Sequence, residues 1–214
     1  QSVTDPAIRE KFEKAWGVPL SDQVGCAITD VPQRVLHETD PKKKIHAYYI
    51  FGEDPAQSDP DLAEIRETLD KCFVVMQDIY MNKTGIHADV ILPSTAWGEH
   101  EGVYTCADRG FQRVRKVIEP PEGLKTDWQI ISEISNTMGY PMHYNNTEEI
   151  WNEMIDLCPS FYGATYEKME LYGGVQWPCR SKDLSDKGTP YLHKDGKFAT
   201  KDNKGVFYGT DWHP

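Results

Sequence analysis

The sequence lacks the cysteine spacings that hold disulfide frameworks, zinc ions or iron–sulfur clusters. It has 214 residues and five cysteines, an odd number, and none of them forms a Cys-x-x-Cys pair. Disulfide frameworks need paired cysteines, and zinc and iron–sulfur sites favour closely spaced ones. The simplest interpretation is a set of reduced thiols in a cytoplasmic protein. The cysteines are Cys26, Cys72, Cys106, Cys158 and Cys179.

Glycine-rich nucleotide fingerprints and long apolar runs are also missing. Neither G-x-G-x-x-G nor G-x-x-x-x-G-K-[ST] occurs, which argues against the nicotinamide dinucleotide and P-loop modes of phosphate binding. No apolar run approaches the roughly 20 residues of a membrane span, and the mean hydropathy of −0.61 agrees. Because the first residues are polar and charged, we expect neither a signal peptide nor membrane insertion.

Positive charge is scarce. The 23 Lys and Arg residues face 34 Asp and Glu residues, which gives a net charge of −11. Such a surface repels phosphate backbones, so nucleic acid is a poor candidate partner, and an anionic ligand needs a local basic patch. One such patch is present, and it can meet a pyrophosphate, a neighbouring domain or only solvent. It comprises Arg109, Gln112, Arg113, Arg115 and Lys116.

What the sequence does contain is a succession of short strands and amphipathic helices. The segments Ile45–Phe51, Phe73–Met76 and Val90–Leu92 are β-branched and apolar, as is typical of buried strands. A helix between the first two begins with Asp59 as N-cap and Pro60 at the first helical position. This order predicts parallel strands with right-handed crossovers. The predicted fold class is therefore α/β, a Rossmann-like, open and mainly parallel sheet flanked by helices.

Further helices and a long polar connection complete the predicted organisation. Helical spacing indicates helices over Asp5–Trp16, over a segment that starts with a capping box at Thr126, and over Thr147–Leu157. We predict an α/β domain over residues 1–157 and a loop-rich, irregular extension over residues 158–214 that contacts other domains, with a strand near residues 206–208. Residues 89–125 form a polar connection whose aromatic residues argue against disorder, so we interpret it as a ligand-holding segment.

Polar side chains follow all three predicted strands. They occur in Gly52–Pro55, in Gln77–Asp78 and in Pro93–Thr95. In an open parallel sheet, ligands bind beyond the carboxyl ends of the strands. These segments therefore predict a binding site at one edge of the sheet.

Carboxylates at such an edge suit one nucleotide base in particular. The guanine edge presents two adjacent donors, the ring N1–H and the exocyclic amine, which an ionised carboxylate accepts and which adenine lacks. Asp54 and Asp127 are the candidates; the alternatives are a turn before Pro55 and helix-dipole complementarity. Asp78 suits ribose hydroxyls or a turn. We identify no catalytic or metal-binding residue.

Several of these segments resemble the molybdopterin oxidoreductase family, and within it the catalytic subunit of molybdenum- or tungsten-dependent formate dehydrogenases of the formate-hydrogenlyase type. The matching segments are Gly52–Pro55, Gln77–Tyr80, Ala88–Gly102, Arg109–Arg113, Glu119–Pro120, Asp127–Trp128 and Pro141–Asn146. The resemblance implies an oxidoreductase that converts formate to carbon dioxide at one metal atom held by two molybdopterin guanine dinucleotides. Electrons then pass to a 4Fe-4S cluster and to iron–sulfur or hydrogenase subunits.

The resemblance also implies roles for individual residues. This segment would hold the guanosine end of one dinucleotide, with Asp54 and Asp127 contacting guanine or its ribose. The residues implied to line the same pocket are Ser58, Gln77, Asp78 and Ser94, and those implied to lie nearer the pterin and the cluster are Gln112 and Arg113.

The family's metal ligand, its cluster cysteines and its C-terminal barrel-like domain have no counterpart here. Together with a start at Gln1, this predicts an internal fragment that contacts the remaining domains of its subunit. Alone, the fragment is expected to be inactive and to hold no cofactor. The alternatives are a nitrate, arsenate or sulfoxide reductase, and a non-catalytic nucleotide-binding scaffold.

Overall fold

Three parallel strands form the first sheet of this computed structural model, which describes residues 1–210. Strands β1 (Ala47–Phe51), β2 (Phe73–Asp78) and β3 (Val90–Pro93) lie side by side in chain order. Tyr49 pairs with Val75, which in turn pairs with Val90. The predicted α/β class with a parallel sheet is confirmed, and β2 continues two residues beyond its predicted end because Gln77 and Asp78 still pair with neighbouring strands.

Helices cover one face of this sheet. The core beneath them contains Ile50 and Val74 from the strands and Ile65 and Leu69 from a helix, with Ala56 fully buried among them. Apolar residues three and four positions apart give that helix its buried face. The helical residues of this core belong to α3 (Pro55–Ser58) and α4 (Leu62–Lys71). This part of the chain also contains α1 (Pro6–Trp16), α2 (Val31–Leu36) and α5 (Asp127–Thr137), with 3₁₀ turns at Ile28–Asp30 and Thr84–His87.

Helix α4 begins later than the sequence predicts. Asp61, not Asp59, is its N-cap, and the Asp61 carboxylate accepts the Glu64 N–H at 3.2 Å. The predicted start at Asp59 is wrong because the preceding residues form the separate helix α3. The capping box that opens α5 is confirmed: the Gln129 side-chain oxygen accepts the Thr126 N–H at 3.0 Å.

The opposite face of the sheet is largely exposed in this chain. Tyr49, Phe51 and Phe73 are 44%, 49% and 52% exposed, and Val90 is 38% exposed. The prediction of buried strands therefore holds for the face that carries Ile50 and Val74 and is wrong for these residues of the opposite face. Near-continuous apolar strands are typical of sheets covered on both faces, and the described part of the chain covers this face only in part.

A second sheet and two helices form a separate unit. Its strands are β4 (Gly102–Thr105), β5 (Gly110–Val114) and β6 (Val175–Gln176), and its helices are α6 (Thr147–Leu157) and α7 (Tyr166–Tyr172). Strands β5 and β6 are antiparallel, with Phe111 opposite Val175. The Phe111 ring meets the Trp151 and Phe161 rings edge-on, each at 4.9 Å between centroids. Aromatic packing therefore forms the centre of this unit.

The two units are discontinuous in sequence. Residues 1–102 and 115–149 form the first, and residues 103–114 together with those from 150 onward form the second. These boundaries differ from the single division predicted at residue 157, because β5 pairs with a strand more than 60 residues later. The predicted strand near Val206–Tyr208 is wrong: residues 204–210 carry neither helix nor strand. No described helix combines the length and apolarity that crossing a membrane requires.

The backbone at Gly163 leaves no room for a side chain. A Cβ atom there would lie 2.2 Å from the Ser181 carbonyl oxygen and 2.6 Å from the Cys179 sulfur. We expect Gly163→Ala to lower the free energy of unfolding of the second unit by about 1–3 kcal/mol, because overpacking displaces the backbone. Hydrogen exchange of peptides over residues 159–182 measures this loss. Gly209→Ala, which meets nothing within 4 Å, is the control, and equal losses in both variants would contradict the prediction.

Candidate functional site

The polar residues predicted at the ends of the strands lie at one edge of the first sheet. Asp54 follows the end of β1, Asp78 is the last residue of β2, and Ser94 directly follows β3. Asp127 joins them as the first residue of α5. Because the strands are parallel, their carboxyl ends share this edge, the place where open α/β sheets bind ligands.

Four side chains at this edge form a hydrogen-bonded network, which we call the Gln77 cluster: Tyr49, Gln77, Ser94 and Asp127. Gln77 is fully buried, and its Nε2 atom donates to Asp127 Oδ1 at 2.8 Å. The Ser94 hydroxyl donates to the same oxygen, and the Tyr49 hydroxyl donates to Gln77 Oε1. Burial and the nearby Asp127 carboxylate raise the pKa of Tyr49, so its hydroxyl keeps the proton that it donates.

The two oxygens of Asp127 differ in their surroundings. Oδ1 accepts two hydrogen bonds, from Gln77 and Ser94, which uses both of its lone pairs. Oδ2 accepts none from any residue within 1–210. Hydrogen bonds within the chain therefore fix the carboxylate through Oδ1, and Oδ2 can accept hydrogen bonds from a ligand.

Asp54 has both oxygens engaged within the chain. Its Oδ1 accepts the Thr84 N–H at 2.9 Å and the Thr84 hydroxyl at 2.7 Å, and its Oδ2 accepts the Lys83 N–H at 3.4 Å. Thr84 is fully buried, and its hydroxyl oxygen accepts the Ala56 N–H at 3.1 Å. The Ser58 hydroxyl donates to the Asp54 backbone oxygen at 3.0 Å. These hydrogen bonds link the start of α3 to the 3₁₀ turn at Thr84–His87, so the Asp54 carboxylate has a structural role.

Asp78 is engaged in a similar way. One oxygen accepts the Ile79 and Tyr80 N–H groups at 2.6 and 3.4 Å, and the other accepts Asn82 Nδ2 at 2.9 Å. These contacts make the turn that the sequence offered as the alternative to ribose binding. An open cavity of about 490 Å³ adjoins Asp54 and Asn82, so this part of the edge has room for a ligand.

Gln112 and Arg113 lie on β5 in the second unit, so the Gln77 cluster contains neither of them. The Arg113 guanidinium donates to the Val114 carbonyl at 2.7 Å, lies 3.9 Å from a Glu170 oxygen and stacks over the Tyr166 ring at 4.1 Å. Gln112 is exposed. Their predicted position near a pterin stays a prediction.

Sequence reasoning missed three residues of this edge: Tyr49, Asn82 and Thr84. The period-two alternation of strands could have identified the first, because Tyr49 and Phe51 share a sheet face and Phe51 pairs with Gln77. No sequence pattern around Thr84 indicates that its hydroxyl donates a hydrogen bond to the carboxylate of Asp54, 30 residues earlier. No group of three or more His, Cys, Asp or Glu residues in the described chain could hold a metal ion.

Comparisons with known proteins agree on one family. The family described as molybdopterin oxidoreductase matches residues 27–137. Formate dehydrogenase H of Escherichia coli K12 is 56% identical over 99% of this chain, and an F420-dependent formate dehydrogenase subunit alpha of Methanocaldococcus jannaschii is 35% identical over 94% of it. The chain spans only 29% of the length of each of these relatives.

A solved structure shares the fold. Acetylene hydratase from Pelobacter acetylenicus superposes on 77% of this chain, and on 23% of its own, with a TM-score of 0.54. The two sequences are 21% identical, so this likeness supports the architecture alone.

Proposed function

Because the chain belongs to the molybdopterin oxidoreductase family, we propose that its first unit holds the guanosine end of a molybdopterin guanine dinucleotide in a formate dehydrogenase. Membership implies a molybdopterin cofactor, and the 56% identity to formate dehydrogenase H favours formate as the substrate. The guanine dinucleotide form, a 4Fe-4S cluster and partner electron-transfer subunits belong to the same proposal. The metal centre would supply the two-electron chemistry, while the residues described here bind and orient the nucleotide.

The observation that carries this proposal is the difference between the two oxygens of the Asp127 carboxylate. Oδ1 is held by two donors, and Oδ2 keeps two lone pairs at the ligand-binding edge of the sheet. Guanine presents two adjacent donors that match those lone pairs. Adenine presents a ring acceptor at the same position, which a carboxylate repels. The hydrogen-bond acceptor that the site presents therefore fits a guanosine group.

The remaining predicted residues take supporting roles in this proposal. Asp54 and Ser58 fix the backbone at the end of β1, and Asp78 fixes the turn after β2. A rigid edge lowers the conformational cost of ordering a ligand there. We propose that Asp127 reads the base and that Asp54 and Asp78 shape the pocket beside it.

The proposal is tested with the full-length polypeptide that carries this sequence, produced without cofactor in a host blocked in molybdopterin synthesis. Isothermal titration with GMP and with AMP is expected to show GMP binding at least roughly 10-fold more tightly, because AMP leaves the carboxylate unpaired. Protein from an unblocked host is expected to release GMP on acid hydrolysis. Equal affinities for GMP and AMP, or no guanine in the purified protein, would overturn the proposal.

A further inference from the structure

Gln77 is a fully buried polar side chain whose two ends have opposite partners. Its Oε1 accepts from the Tyr49 hydroxyl, and its Nε2 donates to Asp127 Oδ1 at 2.8 Å. The reverse orientation would place the amide oxygen against the Asp127 carboxylate, where two acceptors repel each other. The amide therefore points its donor at residue 127.

We propose that Gln77 is a positioning residue: its buried donor determines which polar group residue 127 presents to the ligand. This inference rests on the proposed function, in which Asp127 meets the base. Gln77 itself does not touch the nucleotide in this arrangement, because no part of it is exposed. Its effect on nucleotide selectivity passes entirely through residue 127.

The arrangement makes a specific prediction for Asp127→Asn. The Gln77 and Ser94 donors that now meet Oδ1 favour the asparagine oxygen at the same place. The asparagine NH₂ group then replaces the free carboxylate oxygen, so the outward group changes from acceptor to donor. Xanthine carries a carbonyl where guanine carries its exocyclic amine. The variant is therefore expected to prefer XMP to GMP.

Reversing the buried donor should restore the original preference. Glutamate at position 77 only accepts hydrogen bonds, so in Gln77→Glu/Asp127→Asn it still accepts from Tyr49 and draws the asparagine NH₂ inward. The asparagine oxygen then faces the ligand and accepts from guanine. The double variant has the same net charge as the parent protein, with the carboxylate and the amide exchanged.

The experiment measures GMP, XMP and AMP affinities by titration calorimetry on the cofactor-free full-length polypeptide. Asp127→Asn is expected to lose GMP affinity by roughly 10- to 150-fold, as for the loss of hydrogen bonds to a charged group, and to favour XMP. The double variant is expected to favour GMP over XMP again. Gln33→Glu/Asp127→Asn is the matched control, because exposed Gln33 on α2 adds the same charge outside the cluster and the cavity, and it should keep the XMP preference.

The outcomes separate this inference from the proposed function. If the parent protein does not prefer GMP to AMP, the guanosine site itself is wrong. If it does, but Asp127→Asn binds GMP and XMP equally, the amide turns freely and the inference fails. It also fails if the folded double variant keeps the XMP preference, or if the Gln33 control restores GMP as well. Should the double variant not fold, as judged by circular dichroism, the single variant still decides.

Discussion

Trp151→Ala is expected to lower the free energy of unfolding of the second unit by about 3–5 kcal/mol, the usual cost of removing a buried tryptophan side chain. Trp151 is 5% exposed, and its ring meets Phe111 edge-on at 4.9 Å. Its indole N–H also donates to the Ala164 carbonyl at 2.6 Å. The substitution thus removes core volume, an aromatic contact and the partner of a buried carbonyl together.

The measurement is hydrogen exchange on the full-length polypeptide, followed in peptides from α6 and β5. Met154→Ala is the matched control, because Met154 lies on the same helix and is 46% exposed. A surface substitution of this kind is expected to change stability by less than about 0.5 kcal/mol. If Met154→Ala loosens β5 as much as Trp151→Ala does, Trp151 is not the centre of this core.

The sequence could predict the parallel strands because their signal is local. Each strand is a short apolar run that ends at a turn, and the observed strand ends differ from the predicted ones by only one or two residues: β1 begins two residues later, β2 ends two residues later and β3 ends one residue later. The break between α3 and α4 could not be predicted in the same way. Pro55 and Pro60 both favour a helix start, and the hydrogen bonds that distinguish the two starts include one from the distant Thr84 to Asp54, which precedes α3.

The second unit exposes another limit of local patterns. Residues 103–114 carry no long apolar run, yet they include β5, which pairs with residues 175–176. Phe111 becomes a core residue through contacts with residues at least 40 positions later, Trp151 and Phe161 among them. Hydrophobic periodicity reports which face of an element is apolar, but it does not report which distant element covers that face.

The candidate site shows why composition alone could not assign roles to its carboxylates. Asp54, Asp78 and Asp127 all stand where an element begins or ends, and each has a turn or capping alternative. The structure distinguishes them by the hydrogen bonds that each oxygen accepts. Asp54 and Asp78 use both oxygens within the chain, whereas Asp127 uses one. An oxygen without a hydrogen-bond partner among the described residues, and not position in the sequence, is therefore the reason why we propose Asp127 as the residue that reads the base.

This distinction predicts a different effect for Asp54 than for Asp127. Asp54→Ala removes the acceptor of the Thr84 N–H and hydroxyl and of the Lys83 N–H. Because Thr84 is fully buried, its polar groups lose their partner away from water. We expect the first unit to lose about 2–4 kcal/mol of stability. Hydrogen exchange of peptides over residues 52–87 measures this loss.

Asp59→Ala is the control for Asp54→Ala, since the Asp59 side chain accepts no hydrogen bond from the described residues and α4 is capped by Asp61 instead. Its effect on exchange should stay within about 0.5 kcal/mol. In Asp54→Ala, the ratio of GMP to AMP affinity should change far less than in Asp127→Asn, because both Asp54 oxygens already accept hydrogen bonds within the chain. A stable Asp54→Ala protein that no longer discriminates GMP from AMP would reverse the roles assigned to the two carboxylates.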